Sequence, residues 1–187
     1  MKILLHICCA PCALYPYHRL REEGFDISGY FYNPNIHPYQ EYRKRLMTVH
    51  DFSKKVDLDV QYRDEYDIDN FLKRVVGMGS FRCEHCYRMR LSAAGEAAKK
   101  NGVGLMTTTL LYSKFQQHDL IIGIGKEAAS DHGVGFYYED FRLGWRKGIN
   151  ESKSMGLYRQ QYCGCLYSER ERFEKTRWVF QQDSVKT

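Results

Sequence analysis

The sequence predicts an α/β fold: one domain whose mostly parallel sheet carries helices on both faces. Three observations lead there. Short apolar runs alternate with longer amphipathic ones along most of the chain, the pattern of βαβ units. Gly, Pro and Asn mark several of the junctions between runs, as at Gly24, Asn33-Pro34 and Asn101-Gly102. The chain has 187 residues, 43% of them hydrophobic, enough for one packed core without a disulfide or zinc staple.

Taken in order, the run Ile3-Leu4-Leu5 predicts a buried strand over 3–7, and Pro11 suits the first turn of a helix over 11–23 that Gly24 closes. A second strand is expected over 27–32, then a turn-rich Asn33-Pro34-Asn35-Ile36-His37-Pro38 and a long polar helix over 39–55. A short strand over 60–62 precedes a short helix over 68–76, ended by Gly77 and Gly79. The second half repeats the rhythm. A helix over 83–100 has Ala93, Ala94, Ala97 and Ala98 for close packing and Asn101-Gly102 as its stop. The β-branched stretch over 103–109 reads as a central strand, followed by a helix over 116–132 and a strand over 135–138. The domain is taken as 1–170, with a charged C-terminal tail over 171–187, helical at first and then frayed.

Composition narrows the function. The formal charge of +5 is compatible with RNA or another polyanion without requiring one, and 15 Tyr fit either helix–sheet packing or base stacking. No apolar run reaches the roughly 18 residues of a membrane span, and the apolar N-terminus is too short for a signal sequence. The expectation is a cytoplasmic protein with no membrane association. There thiols stay reduced, so clustered cysteines read as metal ligands or reactive thiols, and seven is an odd number for a disulfide framework. Neither Gly-x-Gly-x-x-Gly nor Gly-x-x-x-x-Gly-Lys-Ser/Thr occurs, which argues against nucleotide hydrolysis and dinucleotide chemistry.

The chemistry concentrates in Cys8-Cys9-x-x-Cys12, Cys83-x-x-Cys86 and Cys163-Gly164-Cys165. Cysteines three apart at a helix start share one face, and the positive helix end favours thiolates. A four-thiolate site, zinc or [4Fe–4S], uses four of the seven and leaves three. Cys8 and Cys9 are adjacent, and neighbours leaving a strand point to opposite sides, so they are expected to serve two neighbouring centres rather than one iron. The resulting expectation is a [4Fe–4S] cluster with a second thiolate-bound metal or a redox thiol pair beside it. A zinc staple with spare cysteines is the bland alternative. Among other polar residues, His6 reads as a core histidine in the first strand. His37 lies between two prolines, and Asp140 follows the last strand at the ligand-binding edge, where either a proton relay or a contact with Arg142 would account for it.

Six stretches in order resemble the epoxyqueuosine reductase family QueH: residues 6–12 (His-Ile-Cys-Cys-Ala-Pro-Cys), 32–38, 82–87 (Arg-Cys-Glu-His-Cys-Tyr), 107–111, 140–142 and 158–165 (Tyr-Arg-Gln-Gln-Tyr-Cys-Gly-Cys). The resemblance covers nearly the whole chain. It implies a Rossmann-like fold related to the adenine-nucleotide alpha-hydrolases, with the phosphate loop replaced by the cysteine motif. It also implies cobalamin-independent reduction of the epoxide of epoxyqueuosine, at the wobble position of tRNA, to queuosine with loss of water. The resemblance further implies an external electron donor and a [4Fe–4S] cluster with a second iron ion. Cys9, Cys83 and Cys86 are assigned to the cluster. Cys8, Cys12, Cys163 and Cys165 are divided between its fourth position, for which Cys163 is taken, and the second metal. Asp140 and His37 are assigned to the protonating side. Arg43, Lys44, Arg45, Arg88 and Arg90 are expected to meet phosphates, and Tyr32 and Tyr112 to stack on bases. Three other readings compete: an ATP-dependent tRNA sulfur-modification enzyme, a thiol–disulfide oxidoreductase, and a zinc-stapled RNA-binding protein.

Overall fold

Strands β1 (Lys2–His6), β2 (Asp26–Phe31), β3 (Val60–Tyr62), β4 (Leu105–Thr108) and β5 (Gly135–Phe136) form one sheet in the order β3-β2-β1-β4-β5. Every pairing is parallel, with Leu5 opposite both Gly29 of β2 and Thr107 of β4. The source is a computed structural model that describes residues 1–175. β1 is central, and its residues 3–6 are buried, as a parallel strand covered on two faces requires.

The helices are α1 (Ala10–Glu22), α2 (Tyr39–Lys55), α3 (Ile68–Val75), α4 (Arg82–Lys100), α5 (His118–Asp131), α6 (Trp145–Ser154) and α7 (Leu166–Phe173). α1 packs against α2 and α6, while α4 packs against α5. Right-handed crossovers therefore put α1 and α2 on one face and α4 and α5 on the other. Two glycines allow the second layer its close approach. A Cβ on Gly95 of α4 would lie 3.0 Å from the Ala128 carbonyl of α5, and one on Gly125 would lie 2.4 Å from the Phe136 ring.

The chain winds outward from β1 through β2 to β3, then crosses back to β4 and β5. The winding reverses between β1 and β4, and the crevice beyond the carboxyl ends of those strands is where such sheets bind ligands. The expected strand over 103–109 stops one residue short of its end. Thr108 Oγ1 accepts from Leu110 N at 3.2 Å and caps a 3-10 turn over Thr109–Tyr112. α6 was not anticipated: Gly148 lies inside it, and its buried face amounts to Gly148 and Ser152. α7 starts at Leu166, inside the expected domain, and most of the expected tail, residues 176–187, lies outside the described residues. No described helix is long and apolar enough to cross a membrane.

Candidate active site

The first thiol group sits at the end of β1. The strand's alternation breaks at Cys8, where the chain bends, and Cys9 becomes the extended N-cap of α1, with Pro11 in the first turn. Thr109, just past β4, accepts from Cys8 N at 3.0 Å and donates to Cys8 Sγ at 3.2 Å, tying the bend to the next strand. The Sγ atoms of Cys8, Cys9 and Cys12 consequently lie within 4.8 Å of one another, those of Cys8 and Cys9 at 3.8 Å. The expectation that Cys8 and Cys9 diverge is thus corrected, because residue 8 has already left the pleat. Hydrogen bonds from the Cys12 and Cys9 thiols hold Cys8 well below the ordinary thiol range. Burial pushes Cys9 well above it, and bonding to Cys8 and Cys9 does the same to Cys12. The triad gives up one proton readily and keeps two.

The second group joins two distant segments. Cys83 and Cys86 occupy the first turns of α4, while Cys163 and Cys165 lie in the loop before α7, where Cys165 Sγ accepts from Ser168 N at 3.4 Å. Cys86 and Cys165 share a small apolar cluster with Phe71 and Val75. Burial raises the pKa of Cys83, Cys86 and Cys163, that of Cys86 to about 12, and the thiols add to one another's shifts through their charges.

Arg45 of α2 anchors the loop. Only 2% exposed, it donates to the carbonyls of Cys163 (2.8 Å) and Tyr162 (3.0 Å) and to Glu41 (2.7 Å). His37 N donates to the Gly164 carbonyl at 2.8 Å, and Tyr162 Oη donates to the His37 carbonyl at 2.5 Å. Gly164 adopts φ +144°, and a Cβ there would meet Asn35 Nδ2 at 2.9 Å. The loop therefore has little freedom.

A cleft of about 710 Å³ opens between the two groups, lined by Cys8, Cys12 and Cys163 among others. Its amides bond the thiols: Gln160 Nε2 donates to Cys9 Sγ (2.8 Å) and Cys12 Sγ (3.2 Å), and Gln116 Nε2 to Cys163 Sγ (3.1 Å). Arg90 of α4, 1% exposed, lines the same cleft and donates from Nε to the Cys86 carbonyl at 3.3 Å. Its Nη2 has no hydrogen-bond partner among the described residues. Burial opposes its charge, and the nearby Cys86, Cys163 and Cys8 thiols sustain it.

The other expected residues fall elsewhere. Asp140 does not line the cleft; it caps the 3-10 turn over Phe141–Gly144 and pairs with Arg142 at 2.7 Å, which lowers its carboxyl pKa. The His37 side chain is buried against Tyr66 and Phe71, so this residue reaches the site through its backbone. His6 is the expected core histidine: Nε2 donates to the Tyr32 carbonyl (3.2 Å) and Nδ1 accepts from Thr108 (2.8 Å). Of the expected phosphate partners, Arg45 and Arg90 are corrected, since both are buried among thiols and carbonyls. Arg43 is paired with Asp64, and Arg88 with Glu84 and Glu127. Tyr32 is buried under Arg63 and Tyr112 is 2% exposed, so neither ring is open for stacking. Gln116, Phe115 and Trp145 were not anticipated at the site, and nothing in their spacing marks them. Gln160 did lie within a resemblance-bearing stretch.

Residues 3–171 match the family model described as epoxyqueuosine reductase QueH. A relative of that description from Dehalococcoides mccartyi is 37% identical over 174 residues, covering 93% of this chain and 96% of its own. Another, from Thermotoga maritima, is 38% identical over 183 residues, covering 92% and 93%. Among solved structures, the U34-tRNA thiolase NcsA from Methanococcus maripaludis with its [4Fe-4S] cluster superposes with a TM-score of 0.61 at 14% identity, over 90% of this chain and 61% of that one. At that identity the likeness concerns the fold alone.

Proposed function

The chain belongs to the epoxyqueuosine reductase QueH family, and on that premise we propose that its thiol-lined cleft takes the epoxyqueuosine nucleoside of a tRNA and reduces the epoxide to the alkene of queuosine. The reaction consumes two electrons and two protons and releases the epoxide oxygen as water, so an external electron donor is required. The protein works in the cytoplasm beside its tRNA substrate. The observation that carries this reading is a cleft on the switch point of the sheet that is lined by thiols of both groups, Cys8 and Cys12 from one and Cys163 from the other.

The donor sets fit two different metal sites. The 3.8 Å between Cys8 and Cys9 Sγ matches the edge, about 3.8 Å, of a tetrahedron with 2.3 Å metal–sulfur bonds. Three thiolates leave the fourth corner of such a site open, which suits a single metal ion that must accept an outside ligand. Cys83, Cys86, Cys163 and Cys165 would supply the four thiolates of a closed [4Fe–4S] site, with Cys165 in the place expected for Cys9, whose sulfur is grouped with those of Cys8 and Cys12. When bound, these groups supply single electrons and Lewis acidity.

The chain's own residues prepare the site for them. Gln160 and Gln116 hold three of the sulfurs in place through N–H···S bonds. Arg90 and Arg45 place two fixed positive charges against the negative charge that several thiolates would concentrate in a buried region. Leu110, Tyr112 and Ile149 give the cleft apolar walls that limit water around the reacting nucleoside.

The test uses protein loaded anaerobically with iron and sulfide, incubated with epoxyqueuosine-containing tRNA and dithionite, followed by nucleoside analysis. Queuosine is expected, and a Cys86→Ser variant is expected to make none. An intact cluster absorption without any queuosine would refute the reading. So would stoichiometric zinc with no acid-labile sulfide.

A further inference from the structure

We propose that Phe115 and Trp145, on the rim of the cleft, form a stacking platform for a nucleobase adjacent to the nucleoside held inside. This deepens the function proposed above, and rests on it, by assigning the surface that recognises the RNA. Neither residue lies in a stretch expected to touch RNA.

Four aromatic rings run outward from the core to this rim. Tyr15 lies 6.4 Å from Tyr112, Tyr112 lies 5.2 Å from Trp145 with planes 32° apart, and Trp145 lies 5.7 Å from Phe115, edge to face. The inner rings are fixed. Tyr112 Oη donates to the Trp145 carbonyl at 3.0 Å, and a Cβ on Gly148 would sit 2.4 Å from Tyr112 Oη. Trp145, half-buried, is thereby set at the first turn of α6. The outermost ring is free: Phe115 is 85% exposed, so it contributes little to folding. A rigid ring followed by an open one, both lining the cleft that holds Cys8 and Cys12, presents π-surface where a ligand enters.

Charge favours RNA as the occupant. Lys114, Arg159 and Arg172 are exposed around the mouth, and none has a carboxylate partner among the described residues. Arg159 and Arg172 line the cleft, and Lys114 Nζ stands 6.0 Å from the Trp145 ring. Geometry adds a constraint. A cleft of about 710 Å³ encloses a nucleoside but not its neighbours. A nucleoside within a strand enters with a phosphate on each side, so the adjacent bases must cross the rim. Unpaired RNA loops are recognised through bases splayed onto aromatic side chains beside cationic groups. An exposed Leu143, equally open at 85%, does not line this cleft and lacks this company.

The experiment measures equilibrium binding of a fluorescent anticodon stem-loop RNA to the iron–sulfur-loaded full chain, with wild type, Phe115→Ala and Phe115→Tyr. Each is tested against RNA carrying an abasic residue on one or the other side of the wobble position. Phe115→Ala is expected to weaken binding about 5- to 100-fold with an unchanged Tm, and Phe115→Tyr to retain wild-type affinity. One abasic RNA is expected to lose similar affinity for wild type but no more for Phe115→Ala. Wild-type affinity in Phe115→Ala, or losses that simply multiply, would overturn the platform while leaving the reductase reading intact. Phe115→Ala that binds RNA normally but slows reduction by a protein donor, and not by dithionite, would assign the rim to a donor protein instead. Failure of wild type to bind the RNA at all would count against both proposals. RNA binding that depends on Phe115 but yields no queuosine would count against the reductase reading alone.

Discussion

Replacing Arg45 with Met keeps an unbranched apolar stem and removes the guanidinium with its charge and donors, so the cost can be worked from the contacts. Arg45 makes three short bonds in a site that is 2% exposed, and its loss leaves two loop carbonyls without their donor and Glu41 with Tyr158 as its remaining side-chain partner. Removing one member of a buried ion pair costs roughly 3–5 kcal/mol, because the abandoned charge stays desolvated. For a chain of this size each kcal/mol moves Tm by about 2–4 °C, so the melting point should fall by about 6–20 °C. Thermal unfolding of the metal-free, reduced protein followed by circular dichroism reads this without interference from a bound cluster. Glu41→Gln/Arg45→Met should be more stable than Arg45→Met, since the stranded carboxylate is gone. A Tm within about 2 °C of wild type for Arg45→Met, or no recovery in the double variant, would refute the assignment of Arg45 as the anchor of the Cys163–Cys165 loop.

Three further outcomes follow from the same geometry. Gly164→Ala should destabilise the chain by about 1–3 kcal/mol and lower its iron content, since φ +144° and the Asn35 contact at 2.9 Å leave no room for a methyl; unchanged urea denaturation and iron analysis would contradict this. Cys12→Ser should lose one metal equivalent yet keep the visible absorption of a cluster, whereas Cys86→Ser should lose that absorption; the reverse pattern would exchange the two sites. Burial drops the pKa of His37, like that of His6, to about 4. With an unfolded value near 6.5, the unfolded chain binds more protons below that pH, so stability should fall as pH drops from about 6.5 toward 4, by up to about 1.4 kcal/mol per pH unit for each histidine. Urea titrations between pH 7 and 5 should show the slope, shallower by about one proton in His37→Asn; an identical slope in that variant would remove His37 from the account.

Local pattern made the sheet readable. The apolar run at Ile3-Leu4-Leu5, the Tyr39–Lys55 helix and the Asn101-Gly102 stop all fall where periodicity and turn chemistry place them, because neighbours in sequence decide those features. α6 was missed because its buried face holds a glycine and a serine, which give no hydrophobic period, and its place comes from packing on α1 and from Tyr112 over Gly148. The thiols divide along the same line. Cys83 and Cys86 are visibly one helical turn apart, but their union with Cys163 and Cys165 depends on Arg45 and the His37 backbone. Both of these look like surface or turn residues when read along the chain. Arg90 was misread for the same reason: an arginine in a polar helix suggests solvent, and only the tertiary structure turns it inward toward the sulfurs.

The place of Cys8, Cys9 and Cys12 explains what this parallel sheet carries at the junction where others build a phosphate cradle. At a βα junction on the switch point, a phosphate loop uses free N–H groups and the positive end of the helix to hold an anion. Here the same end carries three thiols, of which only Cys8 has a lowered pKa. Cys9 is the N-cap of α1, Cys12 lies in its first turn, and Cys8 is held by Thr109 at the neighbouring strand end. Hydrogen bonds from the Cys12 and Cys9 thiols lower the pKa of Cys8, which favours a single thiolate there. Burial or sulfur neighbours instead raise Cys9, Cys12, Cys83, Cys86 and Cys163, so the metal-free cleft keeps most of its protons. Filling the sites must expel those protons, which ties metal affinity to pH. Arg90 and Arg45, already buried and charged, lower the electrostatic cost of that exchange before any metal arrives.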